Sequence, residues 1–180
     1  MIKVILKKYE KGLQSMLHIE TKIKSIETNS VAFNKIKDLH LLLERASKSK
    51  YVLLGESTHG TSEFYTLRAE ISKWLIQEKG FNFIAVEGDW PSCYEVNRFI
   101  KEYTNEFTNA KDPLNSFKRW PQWMWYNKEV CSLVDWLKDF NDMSMSKDKI
   151  GFYGIDVYSL WESMEKIIEC LEEVKSPDAI

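Results

Sequence analysis

Cysteine is scarce in this sequence, and long apolar runs are missing from it. Its three cysteines form no CxxC pair, so the sequence indicates neither a disulfide framework nor a zinc knuckle and favours a reducing compartment. No stretch approaches about 18 uninterrupted apolar residues, and the first residues do not form a secretory signal. We therefore expect a cytoplasmic protein with neither a membrane span nor a membrane partner.

An excess of positive charge is also missing. The 25 basic and 27 acidic residues leave a formal net charge of −2, which argues against a nucleic-acid partner. The chain has 180 residues, of which 44% are apolar and 29% charged, and these proportions are typical of a folded domain. We expect residues 1–30 to be a poorly ordered N-terminal tail, with Met16 as an alternative start, and residues 31–176 to form the domain.

Several catalytic motifs are absent. The sequence has no GxSxG elbow and no GxGxxG or GxxxxGK[ST] phosphate loop, which weakens serine-hydrolase, dinucleotide-binding and P-loop interpretations. It also has no HExxH pair. His59, Glu56, Glu87 and Asp156 form a carboxylate-rich set, but a single histidine is few for zinc, so we predict no bound metal and no other cofactor.

Apolar patterning predicts an alternation of helices and strands. Three short apolar runs are typical of buried strands, at residues 51–54, 81–86 and 150–155. Helical periodicity predicts helices at residues 31–49, at 62–79, from Ser92, after residue 126 and at about 158–174. Residues 104–118 are polar and rich in turn formers, and we expect them to lie outside the core.

This order predicts an α/β fold in which βαβ units build a parallel sheet covered by helices. Three strands leave at least one sheet edge uncovered, which indicates an incomplete N-terminal portion of a larger fold. We expect such a sheet to self-associate through that uncovered edge.

Each predicted strand is followed by an acidic residue, namely Glu56, Glu87 or Asp156. Because the carboxyl ends of parallel strands meet at one edge, these acids should converge with His59, which lies three residues beyond Glu56. Imidazole has an unperturbed pKa of about 6.5 and takes up a proton near neutral pH, so His59 is a candidate general base. The alternative is a loop histidine that bonds a backbone carbonyl, and we assign that role to His18 and His40.

Two further groups have open interpretations. Arg68 lies at the border of the apolar face of the 62–79 helix, where it pairs with Glu56, Glu87 or a substrate oxyanion, or else is a solvated helix charge. Trp90, Trp123 and Trp125 form either an apolar wall for a bulky substrate or part of the core.

Taken together, these segments resemble the erythromycin esterase family, which includes proteins named as succinoglycan biosynthesis proteins. The resemblance covers about residues 30–175. It rests on Gly55-Glu56-Ser57-Thr58-His59-Gly60, Glu63-Phe64, Arg68, Gly80-Phe81, Glu87, Arg119-Trp120-Pro121, Trp125 and Gly151-Phe152-Tyr153-Gly154-Ile155-Asp156.

The resemblance implies a hydrolase in which His59 activates water for attack on a carboxylic ester or lactone, as on macrolides in antibiotic resistance. Glu56, Glu87 and Arg68 match the accompanying active-site acids and arginine, and we add Asp156, Trp90 and Trp125 as substrate-binding candidates. Family members are longer and bring further active-site residues from a downstream half. The alternatives are a non-catalytic protein that binds a small molecule or carbohydrate on the same scaffold, and an inactive truncated product.

Overall fold

The structure is a computed structural model that describes residues 18–30, 32–119, 121–145 and 148–175, apart from the side chain of Glu162. Expectations that concern residues 1–17 or Trp120 therefore lie outside the described residues. The chain divides into two compact units, residues 1–41 and residues 42–180.

Among the described residues of the first unit, helix α1 spans residues 18–29. This helix lies in a part of the chain for which the sequence predicted a poorly ordered tail. The helix predicted over residues 31–49 is wrong in extent. A 3-10 turn at Ile36–Leu39 comes first, and α2 at His40–Ala46 follows it.

The second unit alternates helices with two strands. Its elements are α3 at Ser62–Lys79, β1 at Phe83–Asp89, α4 at Trp90–Ile100, α5 at Lys111–Leu114, a 3-10 turn at Gln122–Met124, α6 at Lys128–Met143, β2 at Gly151–Asp156 and α7 at Leu160–Glu173. No helix of the described residues has the length and apolarity that crossing a bilayer requires. The predicted α/β class, with helices and a small parallel sheet, is confirmed.

The sheet consists of β1 and β2, which run parallel as expected for strands joined by a helical connection. Phe83 lies opposite Gly151 and Val86 opposite Gly154, and an irregularity follows before Asp89 meets Asp156. A Cβ atom on Gly154 would come within 2.4 Å of the Gly88 carbonyl oxygen, so this close approach requires glycine. The two strands therefore end together, with an acidic residue on each.

The predicted strand at residues 51–54 is wrong. This segment has no regular secondary structure, and within the described residues β1 pairs with β2 alone. Leu53 is 92% exposed, whereas a strand of a covered parallel sheet is buried on both faces. Val52 and Leu54 are partly buried, so the segment is covered on one side only and does not pair as a strand.

Local sequence signals set the ends of the longer helices. α3 stops at Gly80, whose φ of 71° is left-handed and whose N–H bonds to the Leu75 carbonyl. α6 begins after Asn127, whose side chain accepts a hydrogen bond from the Val130 N–H at 2.9 Å. β1 runs on to Asp89, so Glu87 lies inside the strand, and α4 begins at Trp90 rather than at Ser92.

The core forms where α4 packs on the sheet and on α6. Val96, Ile100, Val134 and Leu137 are fully buried there, together with Phe152 of β2. These are the apolar positions that helical periodicity predicts.

The expectation that residues 104–118 lie outside the core is wrong. Ala110, Leu114 and Phe117 are buried, because α5 folds back against α4. The segment was predicted to be exposed because most of its residues are polar and its few apolar residues show no periodicity.

Two buried amides attach β2 to the helices. Asn97 of α4 accepts a hydrogen bond from the Phe152 N–H at 3.0 Å. Asn141 of α6 donates to the carbonyls of Ile100 and Ile150 at 2.8 and 3.0 Å, and its Oδ1 accepts the Ile150 N–H at 2.7 Å. Asn141 thus satisfies three buried backbone groups, one at the end of α4 and two just before β2.

We predict that Asn141→Ala lowers the free energy of unfolding by about 2–4 kcal/mol, because each buried polar group left unpaired costs about 1–3 kcal/mol. Urea unfolding followed by circular dichroism measures the loss. Asn105→Ala, at an exposed position, is the matched control and should change stability by less than about 0.5 kcal/mol. Equal stability of the two variants would contradict this role for Asn141.

Candidate functional site

A groove of about 760 Å³ opens between the segment at residues 49–56, α3 and β1. Its volume lies within the range of about 300–1,000 Å³ that is typical of small-molecule sites. One part of its wall carries Glu56, His59 and Arg68, and another part carries apolar side chains such as Leu75 and Ile84. A molecule with both a polar and an apolar part fits such a wall.

Glu56 and His59 both lie in the loop that precedes α3, and hydrogen bonds attach this loop to the helices. Residues 55–61 form no regular structure and lead from the unpaired segment into the first turn of α3. The hydroxyl of Tyr65 donates a hydrogen bond to the His59 carbonyl oxygen at 2.8 Å. The Ser62 hydroxyl, in the same first turn, bonds the Glu129 carboxylate of α6. The loop is therefore attached to α3, and the start of α3 is attached to α6.

Glu56 and His59 are in direct contact. The Glu56 side chain is 7% exposed, and its Oε1 lies 2.6 Å from His59 Nδ1. Because a carboxylate only accepts hydrogen bonds, Nδ1 carries the proton and donates it. The ring nitrogen Nε2 then keeps a free lone pair. The His59 side chain is 44% exposed and lines the groove, so this lone pair is accessible to a proton donor.

Arg68 holds the other oxygen of the same carboxylate. Its Nη2 lies 2.8 Å from Glu56 Oε2, and its side chain is 24% exposed. Oε2 accepts no well-aligned hydrogen bond from the described residues, so the pair is held mainly by opposite charge in a partly buried setting. The guanidinium also lies over the Tyr65 ring, 4.8 Å from its centroid. Of the interpretations open for Arg68, the structure shows the pairing with Glu56.

Glu87 and Trp125 line the same groove. Glu87 lies near the carboxyl end of β1 and is exposed. Trp125 is mostly buried and packs against Phe117 and Phe152, so only a small part of its ring reaches the groove. Glu87 therefore presents its charge to the groove, whereas Trp125 acts chiefly as core.

The structure does not place Asp156 and Trp90 on this groove. Asp156 accepts a hydrogen bond from the Tyr158 hydroxyl, and that bond, with some burial and the charges of Asp156, Glu87 and Asp89, raises the pKa of Tyr158 to about 12. Trp90 is half exposed and packs against Tyr94. Asp156, expected there because it follows a strand, and Trp90, expected there as part of an aromatic wall, therefore remain substrate-binding predictions without a contact to the groove.

Sequence reasoning missed Tyr65 and Glu129. Tyr65 lies six residues after His59 and three before Arg68, a spacing that puts the tyrosine and the arginine on one face of α3. No sequence motif indicates the hydrogen bond from the Tyr65 hydroxyl to the His59 carbonyl oxygen. Glu129 lines the groove from a distant helix and has no local motif.

No group of three or more histidine, cysteine, aspartate or glutamate side chains in the described ranges is arranged to hold a metal ion. The polar wall of the groove is instead a linear series in which Arg68 holds Glu56 and Glu56 holds His59. Such a series orients an imidazole and stabilises it when it becomes protonated.

Comparison of the sequence with known families finds one match that covers more than half of the chain. The family described as Erythromycin esterase matches residues 76–180. Erythromycin esterase type II of Escherichia coli is 25% identical over 140 residues, which are 78% of this chain and 30% of that protein. YbfO of Bacillus subtilis (strain 168) is 25% identical over 142 residues, 79% of this chain and 29% of that protein. The chain thus spans about a third of the length of these relatives.

Two solved structures resemble the fold. A crystal structure described as a succinoglycan biosynthesis protein matches with a TM-score of 0.65 and 29% identity, over 85% of this chain and 38% of that one. A Bacillus cereus protein matches with a TM-score of 0.60 and 27% identity, over 78% of this chain and 32% of the other. The chain therefore corresponds to part of a larger fold of this type, as the sequence predicted.

We predict that Glu56→Gln lowers the free energy of unfolding by about 1–3 kcal/mol, because Arg68 then keeps a partly buried charge without an opposite one. Urea unfolding measures the change. Glu70→Gln is the matched control: its half-exposed side chain lies 3.9 Å from Lys73, and loss of such a pair costs less than about 0.5 kcal/mol. A Glu56→Gln protein as stable as this control would show that the charge of Glu56 does not hold the loop.

Proposed function

The chain belongs to the erythromycin esterase family, and from this premise we propose that it is part of a hydrolase in which His59 activates water for attack on a carboxylic ester or lactone. The contact between Glu56 Oε1 and His59 Nδ1 carries the proposal. It leaves Nε2 as the basic nitrogen at a groove wide enough for a small molecule.

In the proposed reaction, Nε2 of His59 takes a proton from water as the water oxygen attacks the ester carbonyl carbon. The negative Glu56 stabilises the imidazolium that forms. The tetrahedral intermediate then collapses, the bond to the alcohol oxygen breaks, and the imidazolium returns its proton to that oxygen. Water and ester become acid and alcohol, and the scheme includes no covalent intermediate with the protein.

Arg68 acts as a positioning residue in this scheme. Its Nη2 is engaged by Glu56, which supports a role in holding the carboxylate rather than the oxyanion. Glu87 supplies a second carboxylate at the groove, and we propose that it accepts a hydrogen bond from the attacking water or from a substrate hydroxyl. The apolar wall with Leu75 and Ile84 then receives the carbon skeleton of the substrate.

The substrate class is an ester or lactone with a sizeable apolar part. Hydrolysis of macrolide lactones, and with it antibiotic resistance, is the finer proposal, suggested by the name of the Escherichia coli relative. The chain spans about a third of the length of its relatives. The proposed hydrolysis is therefore a proposal for the whole protein of which this chain is a part.

A binding protein on the same scaffold is the competing proposal. Stacking of tryptophans on a ligand would favour it, but Trp125 is mostly core and Trp90 does not line the groove. A screen of lactones, including macrolides, and of simple p-nitrophenyl esters, read by mass spectrometry for the acid product, separates the two. Hydrolysis that depends on His59 supports the enzyme, and binding without any acid product supports the alternative.

We predict that His59→Asn lowers kcat for a hydrolysed ester by about 10²–10⁴, the usual contribution of general acid–base catalysis. Asparagine keeps one hydrogen-bonding arm of the imidazole but accepts no proton at neutral pH. KM and thermal stability should therefore change little. Steady-state kinetics and a melting curve measure the three quantities.

His40→Asn is the matched control, since His40 is exposed at the start of α2 and is not part of the groove wall. It should keep the wild-type kcat. Near wild-type turnover of His59→Asn would remove His59 from the mechanism and favour the binding alternative.

A further inference from the structure

We propose that Tyr65 is a positioning residue of the hydrolytic site, which fixes the direction of His59 through the backbone of the loop and the orientation of Arg68 through its ring. The proposal rests on the proposed function and adds a residue that the motifs of the sequence do not include. Its role is to act on His59 and Arg68 and not on the substrate.

The hydroxyl contact is the first support. Tyr65 is 6% exposed, and its hydroxyl reaches out of the core to donate to the His59 carbonyl oxygen at 2.8 Å. The residues around His59 have no regular secondary structure, so no helical or strand ladder fixes this carbonyl. A buried ring is rigid, and a hydrogen bond from it sets the position of the backbone that carries the imidazole.

The ring contact is the second support. The Arg68 guanidinium lies 4.8 Å from the centroid of the Tyr65 ring and 2.8 Å from Glu56 Oε2 at its Nη2 atom. A guanidinium over an aromatic face is restricted in direction and attracted by the ring. The same tyrosine therefore contacts both ends of the series that runs from Arg68 through Glu56 to His59.

The hydroxyl also remains a donor over the pH range in which an imidazole works. Burial, and after it the negative charge of Glu56, raises the pKa of Tyr65 above its usual value. A hydroxyl that stays protonated keeps its hydrogen bond to the loop whenever His59 gains or loses a proton.

The expected consequence is catalytic rather than structural. Misplacement of a reacting group by about 1 Å costs about 10²-fold in rate. Loss of the hydroxyl loosens the loop without removing the Nδ1 contact, so a smaller loss of about tenfold in kcat is expected. Tyr65 lines the groove, but its hydroxyl is engaged by the His59 carbonyl oxygen, so we expect KM to stay within about twofold.

Tyr65→Phe is the test, because phenylalanine keeps the ring and nearly the same volume. Steady-state hydrolysis of p-nitrophenyl acetate gives kcat and KM. The second readout is the downfield ¹H NMR signal of the His59 Nδ1–H bonded to Glu56, assigned by its absence in His59→Asn, and it requires no substrate. Tyr103→Phe, at an exposed tyrosine that is not part of the groove wall, makes the same chemical change as a control.

A kcat reduced about tenfold with an unchanged KM, together with a broadened or lost Nδ1–H signal in Tyr65→Phe alone, supports the assignment. Wild-type kcat and an intact signal would overturn it while leaving the proposed function in place. An unfolded Tyr65→Phe protein would also overturn it, because the hydroxyl would then stabilise the fold rather than direct His59. If the wild type hydrolyses no ester but Tyr65→Phe loses the signal, the positioning contact stands and the proposed function fails.

Discussion

The candidate site depends on one buried carboxylate that two neighbours share. A negative charge in a side chain that is 7% exposed requires partners, and Glu56 has Arg68 on one oxygen and His59 on the other. The arginine comes from a helix and the histidine from a loop, so the carboxylate joins a rigid element to an irregular one. This shared contact orients the imidazole toward the groove and fixes its proton on Nδ1.

The sequence predicted those parts of the fold that local signals determine. Helix α3 ends at Gly80 because a left-handed residue is required there, and β1 and β2 are parallel because a helical connection joins them. The segment at residues 51–54 was mistaken for a strand because pairing depends on neighbours distant in the chain. The burial of Leu114 was missed for a related reason, since the contacts that bury it come from α4.

The site was predictable to the extent that its members are close in sequence or follow strands. Glu56 and His59 are three residues apart, and the pairing of Arg68 with Glu56 was one of the stated interpretations. Position after a strand was a weaker guide, because it brought Glu87 to the groove but not Asp156. The hydrogen bond from the Tyr65 hydroxyl to the His59 carbonyl could not be predicted, because it depends on the direction of the side chain and not on sequence spacing.

The central claim is that Glu56 and His59 act as one unit in hydrolysis. A double-mutant cycle on kcat for a hydrolysed ester tests it, with Glu56→Gln, His59→Asn and the double variant measured at one pH where all three are folded. If the carboxylate acts through the imidazole, the double variant should turn over as fast as His59→Asn alone. Losses that multiply, so that the double variant is slower by the product of the two single effects, would show that the two residues act independently and would contradict the account.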